Sequence, residues 1–153
     1  MEVEELRIGN LVTTVKGTKH FGKPLKVEFI TNNNCYDLDA PLDSINGYNI
    51  NEVIPIPLTE EWLIRLGFEK SKGNFSIDFN LGYLELEYHV IMDLWEFNIV
   101  NVGDAWDEPV SMPLKSPQHV HQLQNLYFAL TGEDFILNTS QALTLLGSFS
   151  NGN

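Results

Sequence analysis

Two histidines are the residues whose type and spacing most suggest chemistry. His119 and His121 form an H-x-H pair, and imidazole is a common metal ligand. On a helix, residues two positions apart point about 200° away from each other. The pair can therefore share a metal only if the helix begins later in the chain, and we predict no metal site and no cofactor.

Catalytic motifs are missing from the sequence. None of G-x-S-x-G, the P-loop, H-E-x-x-H, C-x-x-C or G-x-G-x-x-G occurs. Asp104 and Asp107 are paired carboxylates of the kind that can perform acid–base catalysis. No adjacent histidine or lysine completes a catalytic geometry with them, and acidic loops are more often only solvated. We expect that the protein is not an enzyme.

The carboxylates of one alternating segment are the sharpest surface feature. Residues 75–102 alternate apolar and polar side chains with a period of two, which is typical of strands with one covered face and one wet face. Carboxylates two apart on a strand stand about 6.5–7 Å apart, close to the spacing of phosphates along a nucleic-acid strand. A loop at 103–113 adds more acidic residues and a tryptophan, a common binding anchor. The predicted partner-binding residues are Asp78, Glu85, Glu87, Glu96, Asp104, Trp106, Asp107 and Glu108. The alternative is a solvated face that binds nothing.

Net charge favours a basic partner. The chain carries −12 at pH 7. Residues 1–58 hold five Lys/Arg against eight Asp/Glu, a net of −3, whereas residues 59–153 hold four against thirteen, a net of −9. Such a surface repels phosphate backbones and attracts basic protein surfaces. We therefore expect a basic host protein surface as partner and no direct nucleic-acid binding, although acidity also simply aids solubility.

The sequence indicates a cytoplasmic location. No apolar run approaches the roughly 18–20 residues that span a bilayer, and the acidic start MEVEELRIGN lacks the apolar region of a signal peptide. Cys35 is the single cysteine, so no internal disulfide is expected.

The clearest element is a helix predicted over 117–131. Ser116 is expected to cap it, Pro117 suits its first turn, and Gly132 can take the left-handed conformation that ends it. Apolar residues at helical spacing form its buried stripe: Val120, Leu123, Leu126, Tyr127 and Leu130.

The remaining pattern predicts an α+β fold. Short strands with frequent turns over 1–57 indicate a small bent β-sheet or SH3-like barrel. A short helix at 59–67 follows, capped by Thr59, and then an antiparallel meander at 75–102. The helix at 117–131 is expected to cover the apolar face of that meander. The predicted division is an N-terminal subdomain at 1–57 and an α+β subdomain at 58–153.

Three segments together resemble a group of small uncharacterised Bacteroidetes proteins, often of prophages and mobile elements. They are ELRIGNLV at 5–12, IPLTEEWLIRLGF at 56–68 and HVHQLQNLYFALTGED at 119–134. The resemblance implies a mobile-element setting and carries no catalytic residues. Small acidic proteins of such elements often bind host proteins, including defence nucleases.

Two functional hypotheses follow. The first is a non-enzymatic acidic binding protein: a phage or mobile-element antagonist of a host nucleic-acid-binding defence effector, of the CRISPR-nuclease inhibitor (anti-CRISPR) type. It would mimic nucleic acid and occupy a basic surface. The alternative is a structural or adaptor module without inhibitory activity, docking through its N-terminal β-unit. Salt separates the two, because electrostatic binding weakens as salt rises.

Overall fold

The computed structural model describes residues 5–30, 34–37, 46–79, 82–89, 94–101, 110–114 and 116–137. Within them it shows the predicted α+β fold, with eleven strands and two α-helices. The strands are β1 Leu11–Thr14, β2 Leu25–Lys26, β3 Phe29–Ile30, β4 Asn34–Asp37, β5 Asn46–Asn49, β6 Val53–Pro55, β7 Glu69–Ser71, β8 Asn74–Phe79, β9 Gly82–His89, β10 Leu94–Asn101 and β11 Val110–Leu114. The helices are α1 Glu60–Arg65 and α2 Val120–Thr131.

The chain divides into two compact units. The first comprises Met1–Leu58 and Gln118–Asp134, and the second comprises Thr59–Pro117 and Phe135–Asn153. The break after Leu58 lies one residue beyond the predicted boundary. Helix α2, however, belongs to the first unit and not to the C-terminal subdomain in which the sequence placed it.

The first unit contains two three-stranded antiparallel sheets, in the orders β2-β1-β6 and β3-β4-β5. Residues 25–30 supply one short strand to each sheet, β2 to the first and β3 to the second. Between them, the N–H of Val27 donates to the carbonyl of Asn10 at 2.8 Å, and the N–H of Gly9 donates to the carbonyl of Val27 at 2.7 Å. These bonds hold Val27, which lies between β2 and β3, against residues 9 and 10. The core of this unit contains Leu6, Val12, Leu25, Val27 and Val53.

Helix α2 begins three residues later than predicted. Its N-cap is His119, whose side chain makes no capping hydrogen bond, so the expected cap at Ser116 is wrong. The cause is tertiary: the N–H of Leu58 donates to the carbonyl of Gln118 at 2.9 Å, and the N–H of Val120 donates to the carbonyl of Ile56 at 3.0 Å. This pairing holds the backbone before Val120 extended. The other end is as predicted, with Gly132 in the left-handed conformation at φ 76°.

Side-chain amides attach α2 to the start of the first unit. The Leu11 N–H donates to Oε1 of Gln124 at 2.7 Å, and Nδ2 of Asn10 donates to Oδ1 of Asn125 at 2.8 Å. Nδ2 of Asn125 in turn donates to the carbonyl of Glu5 at 2.8 Å. We call Asn10, Gln124 and Asn125 the amide clamp. Within the first unit, the clamp holds α2 against β1.

The second unit is built on a five-stranded antiparallel sheet in the order β11-β10-β9-β8-β7. The predicted meander forms β8, β9 and β10, whereas β7 and β11 were not predicted. Strand β11 takes residues 110–113 from the expected loop at 103–113; Pro113 is tolerated because β11 lies at a sheet edge.

Helix α1 is capped as predicted by Thr59, whose Oγ1 accepts from the Trp62 N–H at 3.4 Å. Leu63, Leu66 and Phe68 are buried. No helix in the described ranges has the length and apolar character needed to cross a bilayer.

A candidate carboxylate face on the five-stranded sheet

The strand register places the four predicted meander carboxylates on one face of the sheet. Glu87 lies directly opposite Glu96, and Glu85 is two residues from Glu87 on β9. Asp78 lies opposite Tyr83, which is two residues before Glu85. Cross-strand partners and residues two apart share a face, so the alternation predicted from sequence is confirmed as geometry.

A fifth carboxylate joins this face from β7. Glu69 lies opposite Ser76, and Ser76 lies opposite Glu85. Glu69 was not predicted as part of this face, because E-K-S after α1 is too short and too polar to indicate a strand. We call Glu69, Asp78, Glu85, Glu87 and Glu96 the carboxylate face. Across the described strands, β7 to β10 contribute no lysine or arginine to it.

Two cations of the second unit, Arg65 and Lys70, pair away from this face. Arg65 forms an ion pair with Glu61, and Nζ of Lys70 lies 2.7 Å from Oε2 of Glu60. Both acidic partners belong to α1, so these two ion pairs do not neutralise the carboxylates of the sheet face. The arrangement concentrates charge of a single sign over four neighbouring strands.

Two neutral or weakly basic side chains lie against carboxylates of the face. Nδ2 of Asn74 donates to Oε1 of Glu85 at 2.9 Å. Nε2 of His89 lies 2.7 Å from Oε2 of Glu96, at an angle that makes a close contact but no hydrogen bond. Neither neighbour was predicted, although Asn74 and His89 occupy the same alternation as the carboxylates.

The opposite side of the sheet fixes the positions of the carboxylates. Phe75, Leu84, Leu86 and Phe97 are fully buried at 0% exposure. Trp95 is also buried, and its ring centroid lies 5.8 Å from that of Phe75 in an edge-to-face contact. Because these side chains anchor β8, β9 and β10, the face is a preorganised array. Along a strand its carboxylates are about 6.5–7 Å apart, and across strands the Cβ atoms are about 4.5–5.5 Å apart.

One directly opposed pair is unfavourable for folding. Like charges facing each other across antiparallel strands are destabilising, and Glu87 and Glu96 form such a pair. Local conflicts of this kind tend to occur at functional sites, where another requirement overrides stability. The loop residues predicted to extend the face, Asp104, Trp106, Asp107 and Glu108, lie outside the described residues.

The histidine pair has a different geometry from the one predicted. Since α2 begins after His119, the rings of His119 and His121 do not diverge but stack, with centroids 5.8 Å apart and an interplanar angle of 23°. His121 is 1% exposed, and neither of its ring nitrogens has a hydrogen-bond partner in the described part of the chain. Burial, helped by His119, lowers the pKa of His121 to about 4. In that same part of the chain no three His, Cys, Asp or Glu side chains are grouped to hold a metal.

The chemistry that the carboxylate face offers is acceptance of cationic and N–H donor groups. Comparison of the chain with protein-family models, with curated proteins and with solved structures finds no match.

Proposed function

We propose that the protein is a non-enzymatic binding protein whose carboxylate face docks on a basic surface of another protein. The supporting observation is the register that brings Glu69, Asp78, Glu85, Glu87 and Glu96 to one side of a single sheet. A two-dimensional array of fixed carboxylates matches a surface that presents several lysine and arginine side chains. Arginine in particular can bind such carboxylates with two parallel hydrogen bonds.

The partner class we favour is a nucleic-acid-binding effector, such as a guided nuclease of host defence, in the cytoplasm. Such proteins hold their nucleic acid in positively charged channels and contact its backbone. Carboxylates at strand spacing compete with phosphates for those side chains. Inhibition is then stoichiometric: the protein occupies the channel, and no bond is made or broken. The mobile-element setting suggested by the resemblance supports this class of target.

Association should be fast and sensitive to salt. A net charge of −12 accelerates encounter with a basic surface at low ionic strength. Raising salt shortens the Debye length from about 10 Å at 0.1 M to about 3 Å at 1 M, which removes the long-range attraction.

A charge-reversal pair tests the proposal. Glu87→Lys changes the carboxylate face, and Glu133→Lys makes the same change of charge at an exposed position in the first unit. The assay measures how well each protein displaces labelled target DNA from a guide-loaded nuclease. We expect inhibition by the wild type and by Glu133→Lys, and inhibition weaker by about tenfold or more for Glu87→Lys. No displacement by the wild type, or equal loss in both variants, would contradict the proposal.

An affinity capture from a Bacteroidetes lysate extends the test beyond nucleases. Capture of a basic nucleic-acid-binding protein at low salt, and its loss at high salt, is the expected result.

The alternative function is an adaptor module that docks through the first unit, and one observation favours it. Ile8 and Phe128 expose apolar surface there, and the Arg7 guanidinium lies 4.1 Å from the Phe128 ring centre. Salt-resistant capture that depends on Ile8 or Phe128 would support the adaptor.

A further inference from the structure

The first unit carries a lysine-rich segment, although the net charge of the chain is strongly negative. Residues 16–26 read KGTKHFGKPLK, with four of the nine Lys/Arg of the chain and no acidic residue. We call residues 15–24, which join β1 to β2, the lysine loop. Lys16, Lys19 and Lys23 are exposed, and none forms an ion pair with a carboxylate in the described ranges. Lys26, just outside the loop, instead pairs with Glu28 at 3.0 Å.

The loop has a defined backbone. Thr18 Oγ1 shares a hydrogen bond of 2.6 Å with Thr14 Oγ1, and the Lys23 N–H donates to the carbonyl of His20 at 3.0 Å. Nδ1 of His20 lies 2.5 Å from the Tyr48 hydroxyl on β5, which ties the loop to a second sheet. The three lysines are therefore presented from fixed positions, so less conformational entropy is lost when they bind.

An aromatic ring lies among these charges. Phe21 is 51% exposed and is two residues from both Lys19 and Lys23. Phe29, beyond β2, is 54% exposed. Exposed aromatic rings next to cationic side chains are the combination that binds single-stranded nucleic acid, since bases stack on the rings while the cations contact phosphates.

We propose that the lysine loop binds single-stranded nucleic acid, with phosphates on Lys16, Lys19 and Lys23 and a base stacked on Phe21. This departs from the expectation drawn from net charge. At physiological salt, charges act over about 8 Å, so a local cluster can differ in sign from the whole molecule. The lysine loop belongs to the first unit, and the carboxylate face belongs to the second.

Single strands fit the loop better than duplexes or membranes. The bases of a duplex are stacked inside, out of reach of Phe21, whereas unpaired bases can stack on its ring. Stable attachment to a membrane needs two anchoring signals, whereas three lysines and one ring supply a weak one. The inference goes beyond the proposed function and does not depend on it, because it needs neither the carboxylate face nor a protein partner.

Fluorescence anisotropy of the full chain with a labelled single-stranded oligothymidylate tests the proposal. We expect the wild type to bind at about 50 mM salt and to weaken steeply at about 200 mM. The triple variant Lys16→Gln/Lys19→Gln/Lys23→Gln should weaken binding at least about tenfold and reduce the salt dependence by about two counterions. Phe21→Ser should weaken binding about tenfold without changing the salt dependence.

The matched control is Lys72→Gln, which removes an exposed lysine from the second unit and should leave the affinity unchanged. Circular dichroism of each variant checks that the fold is retained. Absence of binding by the wild type at low salt would overturn the proposal, as would equal affinity in the wild type and the triple variant. Binding to phosphatidylserine vesicles but not to the oligonucleotide would also overturn it and would assign the loop to a membrane surface.

Discussion

The amide clamp and the carboxylate face are both polar clusters, but they meet their hydrogen-bonding and charge requirements in opposite ways. The clamp is uncharged, and its buried members Asn10 and Gln124 are bonded to backbone groups and to Asn125. The face is charged, and Glu87 and Glu96 oppose each other directly. Polar groups that are satisfied within the chain specify its fold. Polar groups that conflict within the chain are available to something outside it.

The largest expected effect concerns a buried polar group of the first unit that lacks the bonds of the clamp. His121 is neutral when folded, because its pKa falls from 6.5 to about 4. A group with a lowered folded-state pKa contributes stability above its unfolded pKa and loses it as the pH falls through the folded value. The contribution of His121 to the free energy of unfolding is therefore fully present above about pH 6.5. As the pH falls towards 4, the free energy of unfolding decreases by about 3 kcal/mol. Urea unfolding across this range measures it.

His121→Leu provides the comparison for that pH profile. It removes the titrating group, so its unfolding free energy should vary less between pH 6.5 and pH 4 than that of the wild type. If the unfolding free energies of the two proteins vary in parallel with pH, His121 is not the group responsible for the loss. If the variant does not fold, NMR titration of the His121 ring in the wild type still reports whether its pKa lies near 4.

The next largest effect comes from breaking the clamp. Gln124→Met keeps the volume of the side chain but removes the acceptor of the buried Leu11 N–H. An unsatisfied buried donor costs about 1–3 kcal/mol, which urea unfolding would detect as a lower midpoint. Gln122→Met is the matched control: its Oε1 accepts from the exposed Gln118 N–H at 2.9 Å, and water can replace that bond. A comparable loss in both variants would show that the clamp has no special role.

The smallest effect has the opposite sign. Glu87→Gln removes one charge of the opposed pair on the carboxylate face and should stabilise the protein by about 0.2–1 kcal/mol. Added salt should shrink the gain, because screening already weakens the repulsion in the wild type. Glu133→Gln, which removes an exposed charge from outside the face, should change the unfolding free energy by less. If Glu87→Gln destabilises the protein, the Glu87 carboxylate contributes to folding. The contrast between the amide clamp and the carboxylate face would then be wrong.

Sequence predicted the features that are decided locally. Thr59 caps α1 and Gly132 ends α2 as expected, because capping depends on a few adjacent residues. The period-two alternation around Glu85 and Glu87 also gave the correct face. Because successive side chains of a strand point to opposite faces, the alternation assigns each residue to a face without information on the neighbouring strands.

The errors all involve partners distant in sequence. Ser116 was expected to cap α2, but pairing of Gln118 and Val120 with residues near Pro57 displaced the helix start. The placement of α2 beside β1 involves Gln124 and Asn125, whose hydrogen-bond partners lie more than a hundred residues earlier in the chain. Glu69 was missed because a three-residue strand is defined by its pairing with β8, not by its own composition.

The two outer strands of the large sheet restrict how anything can bind to it. β7 is only three residues long and exposed, and it contains Glu69 and Lys70. β11 contains Pro113, which has no N–H to donate. Short, charged or proline-containing borders discourage the addition of another strand. Extension of the sheet by a peptide, and fibril growth from its ends, are both disfavoured. A partner of this sheet must therefore recognise its side chains rather than its main chain.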